Sequence, residues 1–122
     1  MKISARRIDH VQLCVPPGEL AKAREFYLGV LGLREVPMPE SFAGIVIGFW
    51  CMMGEVQLHI GLDPVTARTK AHPAFEIEKV AEARRYLEGL GIRTKNEPDI
   101  PGRTRFSFLD PFDNRIEFLE FV

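Results

Sequence analysis

Cysteine is scarce in this chain: Cys14 and Cys51 are the only two among 122 residues. Their separation forms no disulfide framework and no paired metal-binding motif, so a reduced environment is expected. Neither sign of charge dominates, with Lys+Arg 16 against Asp+Glu 17 and a formal net charge of −1. That balance leaves no basic footprint for nucleic acid or for an acidic membrane surface. Long apolar runs are missing too; none approaches the ~18 residues that cross a bilayer. The opening stretch, Met1 to His10, carries no apolar leader core. A cytoplasmic location, with no nucleic-acid and no membrane partner, is therefore expected. The rest is an ordinary globular composition, 46% hydrophobic and 27% charged, at a length suited to one domain. Histidine is scarce as well, only His10, His59 and His72, and their placement is informative.

The chain is written twice. Ala21-Lys-Ala-Arg-Glu-Phe-Tyr-Leu-Gly-Val-Leu-Gly-Leu33 returns as Ala81-Glu-Ala-Arg-Arg-Tyr-Leu-Glu-Gly-Leu-Gly-Ile92, one residue shorter. Each copy reads as an amphipathic helix. In the second, Val80, Ala83, Leu87 and Leu90 form one apolar stripe. Gly32 and Gly91 stand where a left-handed C-terminal cap is expected. A strand precedes each helix, Ile8–Leu13 and then His72–Ile77. Further strands follow: Leu33–Val36, Ile45–Met52 and Val56–Ile60 in the first copy, Ile92–Lys95, Arg105–Leu109 and Arg115–Phe121 in the second. Turn residues at Met53-Gly54 and Asp110–Asn114 join the last two strands of each copy as hairpins. The expectation is an α+β protein of two βαβββ modules, about 6–61 and 72–122, joined by a linker at about 62–71. Each module spans about sixty residues, too few to bury a core easily alone.

Successive side chains on a strand point to opposite faces. Val11 and Leu13, Phe75 and Ile77, Val56, Leu58 and Ile60, and Ile116 and Phe118 then form the faces under the helices. The opposite faces carry His10, His59, His72 and Glu117. These four are also equivalent under the repeat: His10 matches His72, and His59 matches Glu117. Three imidazoles and one carboxylate make a donor set for a first-row divalent ion. Singly, each has a plainer reading, as a satisfied half-buried histidine or a solvated glutamate. Residue type, parity and repeat position coincide, and the metal site is the reading taken.

Other residues share those faces. Arg105 lies on a strand expected beside the last one and would clamp a carboxylate or phosphate, or else be a solvated edge arginine. Gln12 and Gln57 line the same face, as hydrogen-bond partners of the ligands or substrate or as ordinary lining. Trp50 belongs to the bulky run Phe49–Met53, half of which would form an apolar pocket wall; core or dimer contact is the alternative. Cys14 lies about 13 Å along the strand from His10, too far to share an ion.

Ile-Asp-His10-Val-Gln-Leu, Ala-Arg-Glu-Phe-Tyr27…Leu-Gly-Leu33, His72-Pro-Ala-Phe-Glu-Ile and Asp110-Pro-Phe-Asp-Asn-Arg-Ile-Glu117-Phe-Leu-Glu together resemble the vicinal oxygen chelate superfamily. This is the glyoxalase, bleomycin-resistance and extradiol-dioxygenase fold. The resemblance implies an eight-stranded cleft, often completed across a homodimer. It implies a divalent ion (Zn, Ni, Mn, Co or Fe(II)) on His10, His72 and Glu117, with His59 at a fourth-strand position that varies in the family. The implied activity is glyoxalase-like Lewis-acid catalysis, of isomerase or lyase type, on a small oxygen-chelating metabolite, with Glu117 as the base. The alternatives are a metal-free, drug-sequestering module and a small ring-cleaving dioxygenase. The family usually has Gly before the Asn of the final turn, where this chain has Asp113; an intact turn at small cost is expected.

Overall fold

The computed structural model of the chain describes residues 1–64 and 69–122. Residues 65–68, within the expected linker, lie outside the described residues. The chain divides into two compact units, Met1–Val65 and Thr66–Val122.

The first unit runs β1 (His10–Val15), a helix α1 (Leu20–Arg24) continuing as a π-helical segment (Glu25–Val30), β2 (Arg34–Val36), β3 (Gly48–Met53) and β4 (Val56–Leu62). The second runs β5 (Ala74–Glu76), α2 (Val80–Gly89), β6 (Thr94–Asn96), β7 (Arg103–Leu109) and β8 (Arg115–Phe121). The fold is α+β, with two four-stranded sheets of the same plan, β1-β4-β3-β2 and β5-β8-β7-β6. In each sheet the first strand pairs parallel with the last and the other pairings are antiparallel. The registers correspond as well. His59 lies opposite Gln12 and Trp50, while Glu117 lies opposite Ala74 and Ser107. His59 and Glu117 thus hold the same ladder position. Among the described residues no helix is long and apolar enough to cross a membrane.

Each sheet buries the face its alternation predicts. In the first unit Val15, Phe49, Cys51, Leu58 and Ile60 are buried with Ala23, Phe26 and Tyr27 of the helix. In the second, Phe106, Phe108, Ile116 and Phe118 are buried with Val80 and Leu87. Phe118 meets Phe106 edge-on at 5.8 Å and Phe108 at 5.0 Å. Burying one such side chain stabilises by about 1.5–3 kcal/mol.

The helices explain the one-residue difference between the copies. The first copy carries its extra residue as the π-helical segment, where Leu31 N–H reaches back five residues to the Phe26 carbonyl at 2.9 Å. A π turn holds one more residue than an α turn, so both helices still end at the same kind of cap. Gly32 and Gly91 take φ of 69° and 83°, left-handed as expected.

Helix α2 begins after Lys79, itself left-handed, with no cap from its own side chain. Glu120 of β8 supplies one, accepting from Lys79 N–H at 3.1 Å and Val80 N–H at 3.0 Å.

One expected strand is shorter than its apolar run. The run from Ile45 to Met52 was expected as strand throughout; β3 begins at Gly48. Ile45 and Ile47 are instead 78% and 67% exposed. The backbone N–H groups of Ile45 and Val46 are spent on the Phe42 carbonyl. The neighbouring strand β2 reaches only as far as Val36, opposite Trp50. At Gly48 the backbone passes so close to the Ile60 carbonyl that no Cβ would fit. Strands β1 and β5 likewise start later than expected, at His10 and Ala74, so that His72 precedes its strand. In the final turn Asp113 is left-handed, with φ 69°. The turn closes around Asp110, whose carboxylate accepts from the backbone N–H groups of Phe112 and Asn114 and from the Asn114 amide, each at 2.8 Å.

Candidate functional site

In the first unit, parity puts His10, Gln12, Trp50, Gln57 and His59 on the sheet face away from the helix. Three rings form a stack there. Trp50 lies flat on His59 at 3.9 Å and 2°, and His10 lies on the other side of His59 at 4.2 Å and 14°. Phe42 meets Trp50 edge-on at 5.4 Å. These side chains line a cleft of about 670 Å³ together with Met38, Ile45, Val46 and Ile47. Trp50 lines this cleft.

Hydrogen bonds orient both imidazoles. His10 Nδ1–H donates to Asp9 at 2.9 Å, and that bond lowers the pKa of the Asp9 carboxyl. In the neutral ring the Nε2 lone pair remains. His59 Nε2–H donates to Gln57 Oε1 at 2.9 Å. Burial first, and then the neighbouring His10, lower the pKa of His59. His59 stays neutral to lower pH than a free histidine, as a metal ligand must, but in this rotamer its Nε2 is occupied by Gln57. The Gln12 amide lies against Gly61 and reaches Cys14 Sγ at 3.8 Å. Cys51 is buried on the helix face, where desolvation pushes its thiol up to about 11.

In the second unit His72, Arg105 and Glu117 come together. His72 Nδ1–H donates to the Lys70 carbonyl at 2.8 Å, which leaves Nε2 as the free nitrogen of the neutral ring. That nitrogen lies 3.5 Å from Glu117 Oε1. Both atoms are then acceptors, and a cation could be shared between them. Two bonds of about 2.1 Å meeting at roughly 110° would give this separation. The histidine anchored through its second nitrogen is a common feature of metal ligands. On these observations the pair fits a divalent ion. Arg105 currently holds the same carboxylate, its Nη1 donating to Glu117 Oε1 at 2.7 Å. Among the described residues no three or more His, Cys, Asp or Glu side chains form a ready-made metal cluster.

Glu97 was not among the candidate residues. Its carboxylate, 8% exposed, accepts from Ser107 Oγ and Arg115 Nη2, both at 2.6 Å. The Ser107 bond first, with Arg115, lowers its pKa. The available signal was parity, since Ser107 and Arg115 share the face of Glu117.

A family profile described as the Glyoxalase/Bleomycin resistance protein/Dioxygenase superfamily matches residues 7–118. A crystal structure of a glyoxalase family protein from Bacillus anthracis is 37% identical, with TM-score 0.89 and 100% of each chain covered. A variant of the genomically encoded fosfomycin resistance protein FosX from Listeria monocytogenes, solved with Mn(II) and 1S,2S-dihydroxypropylphosphonic acid, is 21% identical. Its TM-score is 0.79, covering 98% of this chain and 95% of that one, a likeness of fold alone. No curated protein matches.

Proposed function

We propose, from the premise that this chain belongs to the Glyoxalase/Bleomycin resistance protein/Dioxygenase superfamily, that it is a metal-dependent enzyme of the glyoxalase-like type. Its substrate is a small oxygen-chelating metabolite, and its reaction is of the isomerase or lyase class. His10, His72 and Glu117 are the ligands, with His59 at the fourth-strand position. A bound divalent ion (Zn, Ni, Mn, Co or Fe(II)) supplies Lewis-acid polarisation of substrate oxygens. Glu117 is the base: Oε1 carries the contacts to Arg105 and His72, so Oε2 is the oxygen for a substrate proton. Trp50 and Phe42 wall the cleft of the first unit. Gln57 fixes the rotamer of His59. In support, the FosX variant was solved with Mn(II) and 1S,2S-dihydroxypropylphosphonic acid, so this fold holds a divalent ion and a diol in that protein. The protein acts as a cytoplasmic homodimer.

The observation that carries this reading is His72 Nε2 facing Glu117 Oε1 at 3.5 Å while Nδ1–H is anchored on the Lys70 carbonyl. Calorimetric titration of metal-stripped protein with Mn(II) and Zn(II) tests it. Binding near one ion per chain is expected, weakened about 100-fold or more in His72→Ala and in Glu117→Gln. Failure to bind any divalent ion, or binding untouched by both substitutions, would sink the reading.

One observation favours a second reading. The Arg105–Glu117 bond of 2.7 Å already supplies a cation to the carboxylate, and the cleft, with Phe42, Ile45 and Trp50 on one side, is of ligand-pocket size. A metal-free binding module would then hold apolar ligands against Trp50, with affinity indifferent to a chelator.

A further inference from the structure

Arg105 and Glu117 form an internal pair, with side chains 14% and 7% exposed. The guanidinium is held at two points: Nη1 donates to Glu117 Oε1 at 2.7 Å and Nη2 to the Pro98 carbonyl at 2.6 Å. Among the described residues its Nε is buried with no hydrogen-bond partner. The pair as it stands is neutral, yet the Nε–H of the arginine is unused.

A divalent ion changes this balance. Glu117 Oε1 is the atom both His72 Nε2 and Arg105 Nη1 approach. An ion bound through that oxygen takes the negative charge Arg105 now relies on, and repels the guanidinium. A shielded guanidinium without an anion is strongly disfavoured. With Pro98 still holding Nη2, the Nη1 donor is released from the broken pair. The local charge has risen by two, and a released charged N–H donor takes an oxyanion well.

We infer that Arg105 is an exchangeable counter-ion: it neutralises Glu117 before the ion binds and turns to an oxyanion of the substrate afterwards. The substrate is therefore anionic, carrying a carboxylate or a phosphonate-type group beside its chelating oxygens. Metal and anion binding are coupled through one side chain. This inference rests on the metal-dependent reading above.

Titration calorimetry with Mn(II), using methylphosphonate and acetate as separate anion probes, tests it. In the wild type, one of the anions is expected to bind about tenfold or more tightly to Mn(II)-loaded protein than to stripped protein. Mn(II) gains the same factor in that anion's presence. Which anion shows the gain identifies the group. Arg105→Met is expected to bind Mn(II) alone at least as tightly as the wild type, because the competitor is gone, and to lose the anion enhancement. Arg105→Lys, which keeps the charge, retains part of the enhancement and serves if the methionine variant does not fold. Equal anion affinity with and without Mn(II) overturns the inference, as does an enhancement that survives in Arg105→Met. Weakened Mn(II) binding in a folded Arg105→Met also overturns it, making Arg105 a support for Glu117. Absence of any Mn(II) binding in the wild type defeats the metal-dependent reading too, whereas Mn(II) binding without anion coupling defeats this inference alone.

Discussion

Asp113 holds a left-handed backbone, φ 69°, in the turn between β7 and β8. Glycine adopts that conformation without the Cβ conflict. Asp113→Gly is therefore expected to raise unfolding stability by about 0.5–1 kcal/mol, read from denaturant midpoints. At Cys51 the thiol is buried and pushed up to about 11. At pH 8 only about one part in a thousand is thiolate, so iodoacetamide should leave Cys51 unmodified in the native protein and alkylate it after unfolding. Mass spectrometry of digested samples checks this; rapid native labelling would contradict the burial. Sequence legibility at this scale was uneven. Parity along single strands placed His10, His59 and Glu117 on the face away from the helix, because alternation is a local property of the chain. Glu97 escaped because its partners, Ser107 and Arg115, lie 10 and 18 residues away. The stacking of His59 between Trp50 and His10 likewise depends on ladder register, which no single strand reveals.

Helix α2 depends on a carboxylate from another element. Glu120 accepts the backbone N–H groups of Val80 and Lys79, and these bonds lower its pKa, Val80 contributing most. A carboxyl with a depressed folded pKa adds stability that is present above its unfolded value and lost as pH falls through the folded one. Glu120→Gln is thus expected to lower the thermal midpoint at neutral pH, with the gap from wild type closing as both are acidified. A gap that is constant with pH would argue against the carboxylate cap. Both helices were legible from their repeated pattern and terminal glycines, though Leu90, read into the apolar stripe of the second, is 54% exposed. The π-helical segment was visible only as an unexplained extra residue, since hydropathy does not distinguish a π turn from an α turn. The exposed stretch Ile45–Ile47 was misread for a related reason. β-Branched composition suits a strand, but a strand also needs a partner, and β2 is too short to provide one there.

At the scale of the whole molecule, the repeat was the most legible feature. Two sheets with the same strand order follow from two copies of one hydrophobic pattern, each ending its helix at a left-handed glycine. The proposed homodimer predicts that light scattering in solution gives about twice the chain mass of 13.9 kDa; a mass of one chain at all concentrations would remove dimerisation from the proposal. The two units differ in the side chains at one shared ladder position, Trp50 in one and Ser107 in the other. That divergence has an optical consequence. Trp50 is the sole tryptophan, so the indole emission of the entire chain originates beside one imidazole, at a ring separation of 3.9 Å. Whatever adds positive charge to that imidazole, whether a proton or a cation, should dim the ultraviolet glow of the molecule, and no dye need be attached to see it.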